Sequence, residues 1–331
     1  MKNLKLYTTL ILFLTGFSSC FKEDEPVPPY VSPAGVVTVM AETRPDYSMQ
    51  TYYDLNTNTF VSSNNREVWD FAFSCEPGEN TIYLNSSKKM RVFDTQTNDW
   101  TLPVSLSDAT IAWKYDESTG EPENTALHAW QTDRVYAIDL GLSTVGNNLG
   151  LRKVKFVSAD AQSLTFEYAD AQGNNLQTVT LTKNSDYNFT YFSFATGVMT
   201  ESPEPKKDAY DLLFTQYTAR AFYDGSTTEF EYYLVNGVLL NPNGVAVAVD
   251  STDAFEDITF DDLPGFTYSD KRDAIGFDWK SYDIDAGVYT VLVQNTYIVR
   301  DRTANFWKLR FVSFTNPLGE RGYPTFELSR F

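Results

Sequence analysis

Apolar and polar residues alternate with a period of two along most of the chain beyond residue 35. Leu164-Thr165-Phe166-Glu167-Tyr168 and Leu176-Gln177-Thr178-Val179-Thr180-Leu181 alternate cleanly, and the turn-forming stretch Asp170-Ala171-Gln172-Gly173-Asn174-Asn175 between them predicts a hairpin. Val154–Val157 before it and Phe189–Phe194 after it extend the pattern into a meander of about four strands. The same alternation predicts strands over 36–40, 67–73, 81–84, 90–93, 111–115, 135–140, 209–215, 230–235, 245–249, 289–299, 306–314 and 325–328. No segment carries a long apolar stripe at the helical period of about 3.6 residues. The best helical candidate is Asp253–Leu263, with Ser251 and Asp253 as caps and Pro264 as its stop. The pattern therefore predicts an all-β fold of many antiparallel strands with at most one or two short helices.

One internal echo stands out. Trp69-Asp70-Phe71-Ala72-Phe73 and Tyr210-Asp211-Leu212-Leu213-Phe214 share an aromatic, an aspartate, two apolar residues and a phenylalanine. Strict alternation would put the leading aromatic, the middle apolar residue and the Phe on one face. Asp70 and Asp211 are expected to accept backbone N–H bonds at strand edges or turns rather than to catalyse.

Composition narrows the function. The 331 residues hold 44 acidic and 26 basic side chains, giving a net charge of −18, with one histidine and two cysteines. No basic face exists to meet phosphate, so nucleic acid is excluded as a partner. One His and two Cys cannot build a His/Cys zinc site. The 21 Tyr and 24 Phe outnumber 17 Gly and 14 Pro and favour pleated, half-buried surfaces.

The first 35 residues read as an address. Lys2 and Lys5 precede an apolar run, Leu6–Phe17, too short to span a bilayer, which makes residues 1–19 a signal peptide. The run ends in Leu14-Thr15-Gly16-Phe17-Ser18-Ser19-Cys20, which resembles a bacterial lipobox with Phe17 in place of the more usual Leu. Cleavage before Cys20 and acylation of its thiol would put several acyl chains on one residue, enough to hold the protein on a lipid bilayer. Lys22, Glu23 and Asp24 look like the surface-export signal of Bacteroidetes lipoproteins, which places the protein on the outer membrane facing outward. Four prolines between Pro26 and Pro33 make residues 20–35 a stiff tether. Loss of residues 1–19 removes two lysines and no acid, leaving −20. With Cys20 acylated, Cys75 has no partner and is expected to be a small buried hydrophobe.

Four blocks resemble the HmuY family of Bacteroidetes surface lipoproteins. They are the opening strand followed by Tyr52-Tyr53-Asp54-Leu55-Asn56-Thr57; the Trp69–Phe73 block; Tyr210–Tyr217 with Tyr232–Leu240; and the C-terminal run of Thr296–Arg300, Trp307–Phe314 and Gly322–Leu328. The resemblance covers 36–94 and 205–331 and leaves 95–204 as an inserted β-meander region within a β domain spanning 36–331. It implies a non-enzymatic haemophore that captures haem outside the cell and passes it to an outer-membrane transporter, in a setting of iron acquisition. Family members bind the iron through paired histidines or through methionines, and this chain departs from the paired pattern: its second histidine would fall near Tyr282 or Asp283, and none stands there. An axial ligand must offer an imidazole, thioether, thiolate or phenolate lone pair. The remaining candidates for haem are His128, Met199 and Tyr282, with Met40, Met49 and Met90 read as core residues or as less favoured ligands.

Other chemistry finds no signature. A hydrolytic triad would have to use His128, and no Gly-x-Ser-x-Gly elbow exists. Carboxylate pairs such as Asp261-Asp262 or Glu229 with Glu231 are what 44 acids produce by chance, and Asp283-Ile284-Asp285-Ala286-Gly287 reads as a turn rather than a calcium loop. The competing expectation is a surface interaction module for a protein or glycan, with the haem-ligating residues lost; exposed aromatics on 95–204 would favour it.

Overall fold

The computed structural model describes residues 35–197, 203–223, 226–283 and 285–331. Alternation becomes strand throughout. The chain first lays down β1 (Val37–Met40), β2 (Met49–Asp54) and β3 (Thr59–Asn65). Next come β4 (Phe71–Ser74), β5 (Ile82–Leu84), β6 (Arg91–Asp94), β7 (Tyr136–Asp139), β8 (Leu151–Ala159) and β9 (Ser163–Asp170). A second leading pair follows, β10 (Gln177–Thr182) and β11 (Phe189–Phe192), then β12 (Leu212–Phe222), β13 (Phe230–Leu240) and β14 (Ala246–Asp250). The last five are β15 (Lys280–Asp283), β16 (Val288–Val291), β17 (Thr296–Arg300), β18 (Phe306–Thr315) and β19 (Arg321–Arg330).

These strands assemble the same arrangement twice. One five-stranded sheet runs β10-β9-β8-β7-β6 and the other β1-β19-β18-β17-β14. A smaller sheet covers each: β11-β4-β5 in the first half, and β2-β12-β13, extended by β3, in the second. The correspondence holds to the residue. Phe156 pairs with Phe166 and Val179 with Phe166 in one half, as Phe311 pairs with Phe326 and Val39 with Phe326 in the other. Both pairs carry a register shift at the same place, between Phe156 and Ser158 and between Phe311 and Ser313. A bulge repeated in this way re-aims the strand ends identically. The two leading pairs are exchanged: β1 and β2 complete the sheets of the second half, while β10 and β11 complete those of the first.

Each half buries its own core between its two sheets. Phe71, Phe73, Ile82, Leu84, Phe156, Phe166 and Phe192 meet in one. Leu212, Phe214, Val238, Leu240, Phe311, Phe326 and Tyr53 meet in the other. Burial of a large apolar side chain contributes about 1.5–3 kcal/mol, so these interiors carry the stability that no disulfide supplies. Cys75 is buried with its Sγ 3.3 Å from Thr190 Oγ1, as expected of a small hydrophobe. Strands β7 to β11 of the 95–204 segment pair with β6 and β4, which join them to the rest of the first half.

The structure corrects several expectations. Trp69 does not share a face with Phe71 and Phe73; it packs with Ala72, and Tyr210 likewise packs with Leu213 while Leu212 and Phe214 face the opposite core. The strands begin only at Phe71 and Leu212, so the aspartate before each is a bend where alternation has not yet started. The expected helix over 253–263 is instead a short 3-10 turn, Phe260–Gly265, closed by a capping box between Thr259 and Asp262. Upstream, the Asp250 carboxylate accepts the backbone N–H groups of Thr252 and Asp253 and holds that stretch in a side-chain-capped turn. Residues 111–115 contribute one bridge, Val92 to Lys114, rather than a strand. Met90 lies in the core as read, whereas Met40, on the edge strand β1, is 45% exposed.

Candidate functional site

A tyrosine surface forms on the β15–β16 hairpin. Its turn is built by Asp283, whose carboxylate accepts the N–H groups of Asp285 and Ala286, with Gly287 at φ +69 returning its N–H to the Asp283 carbonyl at 2.8 Å. Residues 285–287 thus form a turn, as the sequence indicates. Antiparallel register sets Tyr282 opposite Tyr289, with ring centroids 4.7 Å apart. Tyr289 also packs edge-on against Phe314 of β18 at 5.8 Å, which fixes the hairpin to the second half. Tyr282 remains 52% exposed and Tyr289 48%, and Tyr233 on β13 is similarly open. Burial pushes the Tyr289 hydroxyl up, with Tyr233 and Tyr282 adding to the rise and Arg321 opposing it. At the base of the hairpin Lys280 donates to the Asn236 carbonyl at 2.7 Å and sits 3.9 Å above the Trp279 ring. Burial pulls its ammonium down to about 7.

The candidate iron ligands do not converge. Tyr282 lies on this hairpin, half open to solvent with a second ring behind it. His128 is exposed in the turn that starts at Thr125, on the first half, where its N–H donates to the Thr125 carbonyl at 3.0 Å and its neighbour Leu127 enters the first core. Met199, Cys20, Lys22, Glu23 and Asp24 lie outside the described residues. Among the described candidates, Tyr282 is the one that stands beside a second exposed ring, Tyr289, tilted 45° to it.

A cleft opens where the two smaller sheets turn their outer faces toward each other. Its walls are Trp69, Tyr83, Phe189 and Tyr191 on one side and Leu213 and Leu239 on the other. The rings at and behind the walls repeat the duplication: Trp69 meets Tyr191 edge-on at 5.2 Å, and Tyr52 on the wall meets Tyr210 behind it edge-on at 4.9 Å. Behind these rings the buried Glu204 accepts hydrogen bonds from Tyr210 at 2.6 Å and Tyr191 at 2.9 Å. Burial pushes the Glu204 carboxyl up, and those donors pull against it. Asp116, whose two oxygens accept the Leu84 and Ala126 N–H groups, is pushed by burial to about 7. Sequence reading missed this cleft. Its residues come from eight separate segments, Arg272 among them sits in an ordinary polar loop, and the Trp69/Tyr210 echo was the one signal available.

Among the described residues no group of three or more His, Cys, Asp or Glu is placed to hold a metal ion. Two copies of one sheet pair, with an aromatic cleft and an open tyrosine hairpin, define an all-β protein. The model of the HmuY protein family matches residues 46–328, and the chain belongs to that family, whose members are binding proteins rather than enzymes. Among solved structures, the chain is similar to a putative lipoprotein from Bacteroides fragilis NCTC 9343, with 12% identity over 90% of this chain and 91% of that one and a TM-score of 0.24. It is similar also to apo PinO from Porphyromonas gingivitis, at 11% identity, 89% and 97% coverage and a TM-score of 0.29. A third is a putative HmuY-like heme binding protein from Bacteroides vulgatus ATCC 8482, at 12% identity, 54% and 90% coverage and a TM-score of 0.19. No curated protein matches the chain.

Proposed function

We propose that this protein is an outer-membrane surface lipoprotein that captures a flat apolar ligand, haem first, and delivers it to an outer-membrane transporter without catalysing a reaction. In this reading residues 1–19 are removed, Cys20 carries the acyl anchor and residues 20–35 hold the domain off the lipid. The observation that carries the proposal is the Tyr282–Tyr289 pair, two half-exposed rings with centroids 4.7 Å apart on a hairpin of a HmuY-family chain. A phenolate is a competent ferric ligand, and aromatic rings beside it would cover a porphyrin face. The rival reading, an interaction module on 95–204, gains no support from its aromatics, each of which is buried or half-buried among the described residues.

The test is a hemin titration of the chain from Ala34 onward, which forms one compact unit. A saturable, sharpened Soret band at one equivalent is the expected result. A featureless, non-saturating spectrum would overturn haem as the cargo.

A further inference from the structure

The cleft between the two halves holds a cation that makes no direct ion pair among the described residues, its nearest acid, Glu204, being felt only through space and bonded to Tyr210, Tyr191 and Asn188. Arg272 projects into it from the loop before Trp279, and its guanidinium lies 5.4 Å from the Phe189 ring centroid. Among the described residues it makes no ion pair, and its Nε is buried without a hydrogen-bond partner. The nearby acids are otherwise engaged: Glu204 with Tyr210, Tyr191 and Asn188, Asp116 with two backbone N–H groups, and Glu117 with Arg220 and Tyr232. Tyr217, fully buried, also lines the cleft, and its hydroxyl is a second polar group without a partner. A partly buried charge is costly until something of opposite sign meets it.

The arginine is held in place. Its N–H donates to the Thr119 carbonyl at 2.9 Å, and its own carbonyl accepts the Leu240 N–H at 2.7 Å. Gly120 lies flat against its stem, where a Cβ would fall 2.5 Å from Cδ, so a glycine is what lets the guanidinium reach the cleft. We infer that the cleft binds a small aromatic carboxylate, its carboxylate on the Arg272 guanidinium and its ring between the Trp69–Tyr191 wall and Leu213 with Leu239. Guanidinium and carboxylate match in charge and in fork geometry, and the apolar walls strengthen that pairing by excluding water. This site is separate from the tyrosine hairpin and stands whether or not haem binds there.

Benzoate and its neutral isostere benzamide test the inference by calorimetric titration of the chain from Ala34 onward. Benzoate should bind saturably with Kd at or below the millimolar range, and benzamide at least about tenfold more weakly. Arg272→Gln should weaken benzoate by about tenfold or more. Gly120→Ala, which crowds the arginine stem, should act in the same direction. The inference is overturned if benzoate shows no saturable heat up to about 10 mM, or if benzamide binds as well. The comparison of the two probes on the parent protein decides the matter even where a variant fails to fold. A folded Arg272→Gln protein that binds benzoate unchanged would overturn it as well.

Discussion

Asp70 and Asp211 occupy the same place in the two halves. The N–H of Asp70 donates to the Phe192 carbonyl and that of Asp211 to the Tyr53 carbonyl, each at 2.8 Å. Two residues beyond those carbonyls, the N–H groups of Phe194 and Leu55 return to the aspartate Oδ2 atoms at 2.7 and 2.9 Å. Asn85 and Asn241 each donate a backbone N–H to the aspartate carbonyl at 2.9 Å, and their side chains bond the carbonyls of Trp69 and Tyr210. A buried cation completes each site, Lys88 on Asp70 and Arg302 on Asp211. The aspartate thus staples an exchanged strand to its host sheet, and the alternation of the following strand is counted from it.

Removing Asp70 strands the buried Lys88 and the Phe194 N–H, and removing Asp211 strands the Leu55 and Arg302 N–H groups and leaves Arg302 with Asp54 alone. Asp70→Ala and Asp211→Ala should each cost about 3–5 kcal/mol, read by urea unfolding. A loss below about 1 kcal/mol at either position would show that the staple is ornamental.

The tyrosine hairpin makes a spectroscopic prediction. If Tyr282 supplies the phenolate, Tyr282→Phe should weaken ferric hemin by at least about tenfold and remove any phenolate charge-transfer band, while His128→Ala leaves both unchanged. Tyr289→Ala should weaken binding without altering the band, because that ring supports rather than ligates. Loss of hemin binding in His128→Ala alone would move the iron to the other half.

Lys280 gives the stability a pH dependence of definite sign. Its folded-state pKa is about 7 against an ordinary 10.5, so between those values the unfolded chain holds the proton more tightly. Folding is then favoured increasingly as pH climbs through that window, and the burden of the buried charge is complete below it. Unfolding free energies at pH 6.5 and 9.5 should show the parent gaining on Lys280→Met as pH rises; a constant gap would contradict the shift. Asp116 acts in the opposite sense and a lower window, since its folded pKa of about 7 lies above the ordinary 3.8 and penalises folding progressively as pH rises toward 7.

Gly141 tests a close approach. At φ +72, its added Cβ would sit 1.9 Å from the carbonyl oxygen of Lys88, the residue that pairs with Asp70. Gly141→Ala should cost about 2–4 kcal/mol. Gly244, at φ +83 with open space around it, is the control and should cost only about 1 kcal/mol as alanine.

Strands were legible because one face of each meets a core: Leu164–Tyr168 and Trp307–Phe314 alternate as their burial does. The echo of Trp69–Phe73 in Tyr210–Phe214 announced the duplication, though not which way each aromatic points, because bends at Asp70 and Asp211 reset the count. The exchange of leading strands left no local trace, since pairing partners such as Val39 and Phe326 lie at opposite ends of the sequence. The Arg272 cleft was hidden for the same reason. The tyrosine hairpin was glimpsed only as Tyr282, because Tyr289 and Phe314 become its neighbours through register and sheet packing.

The exchanged leading strands also set a timetable. Thr43 Oγ1 bonds the Gly322 carbonyl 279 residues away, and among the described residues β1 beside it pairs only with β19. As the chain appears from its N-terminus, β1 must stay unpaired until almost the last residue has emerged, whereas β2 can pair with β3 at once and β10 and β11 find hosts already made. Closing so long a loop late makes the final step slow. The five-stranded sheet of the second half therefore gains its edge strand last, from the first strand of the chain to be made.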